Sequence, residues 1–94
     1  MVVATCILTL ELDGVRSLKE KRSILRSIIT RLRQEFNLSV AEVDGQDQWE
    51  TAVIGLATVG NDGRYLHSVL EKSVDWIENN RPDAPVYGYT IEFR

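Results

Sequence analysis

The sequence predicts an α+β domain with elements in the order β-α-β-β-α-β, two helices laid over one antiparallel sheet. Three observations predict it. Apolar residues alternate with period two from Met1 to Leu12, and a capped amphipathic pattern of helical period follows from Ser17 to Phe36-Asn37. Strand-like, helical and strand-like patterns then succeed one another between Leu38 and Phe93. The 94 residues suffice for one domain, 1–94, with a single two-layer core. An apolar fraction of 44% with 27% charged residues is that of a folded globule and excludes a disordered chain.

In the first strand Val2, Ala4, Cys6, Leu8, Leu10 and Leu12 share the deeply buried face, and Val3, Thr5, Ile7, Thr9 and Glu11 share a more polar one. Asp13-Gly14 supplies a turn. Ser17 is a good N-cap, and Glu20 three residues on completes a capping-box pattern. Leu18, Leu25, Ile28, Ile29, Leu32 and Phe36 then form the core stripe of the first helix. Leu38 to Val43 and Trp49 to Val59 favour strands and read together as a hairpin across the polar connection Asp44-Gly45-Gln46-Asp47. Gly60-Asn61-Asp62-Gly63 breaks the strand and caps a second helix, whose face is Leu66, Val69, Leu70, Trp76 and Ile77. Pro82 and Pro85 end it, and Val86 to Phe93 is the last strand. With right-handed crossovers the economical arrangement is a ferredoxin-like four-stranded antiparallel sheet with both helices on one face.

Charge is the sharpest functional signal. Gly14 to Gln34 holds seven basic residues and one acid, a net of +6, against −9 for the remainder and −3 for the whole chain. An acidic protein that concentrates positive charge on one element can present that element to a polyanion. Lys19, Arg22, Arg26 and Arg33 fall within about 60° of one another on the helical wheel, and Arg16 and Lys21 extend the patch. These six are the candidate nucleic-acid-binding residues, since Lys/Arg arrays are the common means of holding phosphate backbones. The competing expectation is a solvated stripe, or one paired with Glu71, Asp75 and Glu78 of the second helix. Lys21 itself sits at the margin of the apolar face. It either joins Arg16 and Lys19 in an anion site at the helix start or snorkels over the sheet edge.

Other residues point away from chemistry. Glu42, Asp44, Asp47 and Glu50 gather around the hairpin, with Glu42 and Asp44 expected on one strand face, but their spacing matches no calcium loop and no histidine is near. A structural role suits them better than a metal site. His67, the one histidine, has no diagnostic triad spacing, and Cys6 falls in the core phase of the first strand. Walker, G-x-G-x-x-G and CxxC motifs are absent from the sequence. The expectation is a non-enzymatic protein with no catalytic residues, cofactor or metal. A single cysteine suits a reducing compartment, no apolar run approaches the roughly 18 residues that span a bilayer, and the apolar start reads as a strand rather than a leader. A cytoplasmic protein without a membrane partner is therefore expected. The open sheet face should show Val3, Ile7, Trp49 and Val53. It lacks the central aromatics on which RNA-recognition motifs stack bases, and an aliphatic face of this kind suits a homodimer.

Ser17-Leu18-Lys19-Glu20-Lys21-Arg22, Arg31-Leu32-Arg33, Phe36-Asn37 and Ser39-Val40-Ala41-Glu42-Val43-Asp44, with Asp47, Trp49, Ala52 and Gly55, closely resemble the bacterial YlxP-like family, domain of unknown function 503. The resemblance runs from about Val2 to Val74. It implies a small ferredoxin-like domain and, because members are often encoded beside transcription and translation factors, a role linked to RNA or the ribosome. It carries over no site residues. A dimeric interaction or regulatory module built on the open sheet face is the alternative function.

Overall fold

The elements of the chain, described for residues 1–94 in a computed structural model, are β1 (Val2–Glu11), α1 (Leu18–Glu35), β2 (Ser39–Asp44), β3 (Thr51–Gly60), α2 (Gly63–Asn80) and β4 (Val86–Phe93). The four strands form one antiparallel sheet in the order β2-β3-β1-β4. Each helix therefore spans a strand position: α1 carries the chain from β1 past β3 to β2, and α2 carries it from β3 past β1 to β4. This is the ferredoxin-like arrangement, as the pattern of elements predicts.

Period-two alternation decides which face of the sheet the helices cover. Ala4, Cys6, Leu8 and Leu10 of β1 are fully buried, as are Ala52 and Ile54 of β3. They pack with Leu25, Ile28 and Leu32 of α1 and with Leu66, Leu70, Val74 and Ile77 of α2 in one core. Full burial of each Leu, Ile or Val side chain among them contributes about 1.5–3 kcal/mol, so the core is where the fold gains most of its stability. Both helices are capped. Ser17 Oγ accepts from the Glu20 amide at 3.1 Å, and the Asp62 carboxylate accepts from the Arg64 amide at 3.0 Å. The Glu20 carboxylate reaches past the cap to accept from the Arg16 amide at 3.3 Å, one residue earlier than a strict capping box.

Two local differences from the sequence pattern shape the β2–β3 region. β3 begins at Thr51, not Trp49, because Gln48 is held in a turn by the hydrogen bond that its main-chain N–H donates to the Gly45 carbonyl (3.0 Å) and its side chain accepts from Thr51 Oγ1 (2.7 Å). Trp49 thus lies in the loop and is half exposed. The second difference is a β-bulge between Glu42 and Asp44, where two residues of β2 advance against one of β3. Glu42 pairs with Ile54, which faces the helices, whereas Asp44 pairs with Val53 on the open face. The two acids predicted to share a face are therefore on opposite sides.

Burial at the centre of the sheet pushes the Cys6 thiol from 9.0 up to about 11, because desolvation penalises the thiolate. The unfolded chain then loses its proton first as pH rises. The corresponding stability is complete below about pH 9 and lost towards pH 11. Native protein at pH 8 should leave Cys6 unmodified by a chromogenic disulfide reagent, and protein in urea should react fully. Rapid labelling of the native chain would show that Cys6 is not the sealed core residue described.

Candidate nucleic-acid interface

The basic stripe of α1 lies along the flank nearest β2, the edge strand of the sheet. Placing Leu25, Ile28 and Leu32 on the sheet turns Lys19, Arg22, Arg26 and Arg33 to one exposed side. Between that side and β2 runs a groove of about 360 Å³. Arg22, Arg26, Thr30 and Arg33 form its α1 wall, Val40, Ala41 and Glu42 its β2 wall, and Leu25 and Ile29 lie beneath. An edge strand leaves alternate main-chain groups without a strand partner. Arg33 takes one of them, its Nη2 donating to the Val40 carbonyl at 2.7 Å.

Arg16, Lys19, Arg22, Arg26 and Arg33 are all exposed, and none of them is in an ion pair. Pairing with α2 does not occur. Of the three acids considered for it, Glu71 sits 3.0 Å from His67 Nδ1 on its own helix, and Asp75 and Glu78 make no ion pair. The helices are bridged instead by the Arg31 guanidinium over Trp76, 5.6 Å from the ring centroid, and by Arg81 Nη1 donating to Ser27 Oγ at 2.7 Å. Arg81 also clamps Asp83 through two hydrogen bonds, of 3.0 and 2.8 Å, which hold that carboxyl below its ordinary range.

Lys21 leaves the predicted set. Its side chain is 1% exposed, and its Nζ donates to the carbonyls of Gly45 at 2.7 Å and Gln48 at 2.6 Å while lying 2.9 Å from Glu42 Oε2. The contact with Glu42 is an ion pair outside hydrogen-bonding angles, so that oxygen has no directional donor. An ammonium with these three partners has no free face for a phosphate, and neither the helix-start anion site nor a lysine snorkelling to solvent forms. A sequence signal for this existed. Lys21 stands three residues after Leu18 and four before Leu25, on the core stripe itself, and Glu42 follows on the adjoining strand. Gly45 can offer its carbonyl because its φ of 67° turns the loop back over α1, a conformation natural to glycine.

The pair has an electrostatic consequence for the groove. Glu42 is the one acid among its lining residues, with 19% of its side chain exposed, and Lys21 beneath it offsets that charge. The groove therefore keeps a net positive wall. Asp44 is occupied locally, its Oδ1 accepting from the Gly45 amide at 2.8 Å, and Asp47 and Glu50 are exposed in the loop. No three acidic, histidine or cysteine side chains converge in a metal-holding group. No helix is long and apolar enough to cross a membrane.

Comparison with known proteins agrees with this description at the level of family and adds no activity. Residues 3–91 match the family model described as "Protein of unknown function (DUF503)". The chain is 35% identical over 63 residues to the protein of Bacillus subtilis (strain 168) described as "Uncharacterized protein YlxP", an alignment covering 67% of this chain and 68% of that one.

Proposed function

The chain belongs to the DUF503 family, and from that membership and the geometry of α1 we propose a non-enzymatic protein that associates with RNA or the ribosome through the basic flank of α1. One observation carries the reading: three exposed arginines without acid partners, Arg22, Arg26 and Arg33, line a groove whose single acid is occupied by a buried lysine, and Lys19 shares their side of α1. Stripes used for intramolecular bridging look different, as Arg31 and Arg81 illustrate in this same chain. Each phosphate neutralised by such a cation releases condensed counterions, which makes binding favourable and dependent on salt. Tagged protein recovered from lysate at low salt should carry RNA that is released by nuclease or by raised salt. Recovery free of RNA at every salt concentration would refute the reading.

A second reading, homodimerisation, rests on the opposite face of the sheet. There a depression of about 350 Å³ has Ala41, Gly55 and Ala57 among its lining, with Ile7 (46% exposed) and Val43 beside them. Gly55 lets the Val43 side chain lie across the sheet here, because a Cβ would stand 2.8 Å from Val43 Cγ1. Glu92 and Arg94, 3.9 Å apart at its margin, are opposite charges side by side and so complementary to themselves about a two-fold axis. Sedimentation should give a dimer that Ile7→Asp converts to monomer; a wild-type chain that stays monomeric at high concentration contradicts it.

A further inference from the structure

Resting on the RNA reading above, we infer that the groove between α1 and the β2 edge takes single-stranded rather than duplex RNA, the sugar-phosphate backbone lying along α1. The shape of the site supports this. Arg22, Arg26 and Arg33 form one wall of a concavity of about 360 Å³, which a single backbone can enter and a double helix cannot. A-form duplexes also have a major groove too deep and narrow for side chains to read, and are met instead across their shallow minor groove by shape.

The spacing fits one extended strand. At about 1.5 Å of rise per residue, Arg22 and Arg26 stand about 6 Å apart along the axis, and Lys19 to Arg33 spans about 21 Å. That is the order of one backbone repeat between the first two and of a few nucleotides for the whole stripe. Arg33 is already fixed by the Val40 carbonyl, so part of its ordering entropy is lost before the ligand arrives. Opposite the arginines runs the β2 edge, whose Val40 carbonyl is taken by Arg33. No aromatic side chain lines the groove, so stacking contributes nothing and preference among bases is weak.

The test is fluorescence anisotropy of the full chain at low salt with uridine oligonucleotides of increasing length, a blunt RNA duplex of matched length, and polyglutamate as a competitor. Affinity should rise to about 4–6 nucleotides, a site size within the range of small single-strand binders, then increase only with the number of registers available. Single strands should bind at least about tenfold more tightly than the duplex. Equal or tighter binding of the duplex overturns this inference and leaves the RNA reading standing. Displacement by polyglutamate as effective as by RNA overturns it in favour of an acidic protein partner, and binding of no nucleic acid removes both.

Discussion

Lys21→Met should destabilise the domain by about 2–3 kcal/mol. Removing the ammonium leaves the Glu42 carboxylate four-fifths buried without its counter-charge and takes the donor away from two loop carbonyls. Breaking a fully buried pair costs about 3–5 kcal/mol. The partial exposure of Glu42 lets water recover some of that, so the lower figure applies. For a domain of this size it corresponds to a melting temperature lower by about 8 °C or more. Replacing both partners, Lys21→Met with Glu42→Met, should restore most of the loss, because two apolar side chains leave no stranded charge. Urea unfolding of the three proteins measures it. A single variant within about 0.5 kcal/mol of wild type would show that the clamp on the 45–48 loop is not structural.

Arg22→Glu with Arg26→Glu should weaken RNA binding by at least about 30-fold, taking about 1 kcal/mol for each lost cation facing a polyanionic surface. Both residues are exposed, neither is in an ion pair, and both line the groove. Substitutions of that kind usually stay within about 0.5 kcal/mol in stability, so the folded fraction should be unchanged by urea unfolding. The contrast with Lys21 is informative. One substitution should lower stability first, and the other should lower affinity alone. Loss of affinity through unfolding would appear in the urea curve and count against the interface.

The sheet, the helices and their shared face were legible because two signals of different period agree over most of the chain. Alternation from Ala4 to Leu12 and the stripe Leu25, Ile28, Leu32 are both long enough to be unambiguous. What escaped was local and short-range. A bulge adds one residue without altering composition, so the faces of Glu42 and Asp44 could not be separated from the sequence pattern. The loop at 45–48 takes its shape from a lysine 24 residues earlier, a tertiary contact that no turn rule contains. The basic stripe was legible as a stripe because helical period fixes which residues neighbour one another. Its freedom from α2 was not, because that depends on Arg31 meeting Trp76 and Arg81 meeting Ser27. At Lys21 two patterns conflict: basic residues near a helix start suggest an anion site or a snorkelling lysine, whereas its position on the core stripe places the ammonium against Glu42 and the 45–48 loop.

The dependence of RNA affinity on salt, measured for the wild-type chain and for the Arg22→Glu, Arg26→Glu variant, decides whether α1 holds phosphates. If the exposed flank of α1 holds phosphates, log affinity of the wild type should fall linearly with log salt. The slope should flatten by at least about 1.4 in the variant, from about 0.7 for each single-strand phosphate contact removed. Equal slopes for the two proteins, or a wild-type slope near zero, would contradict it.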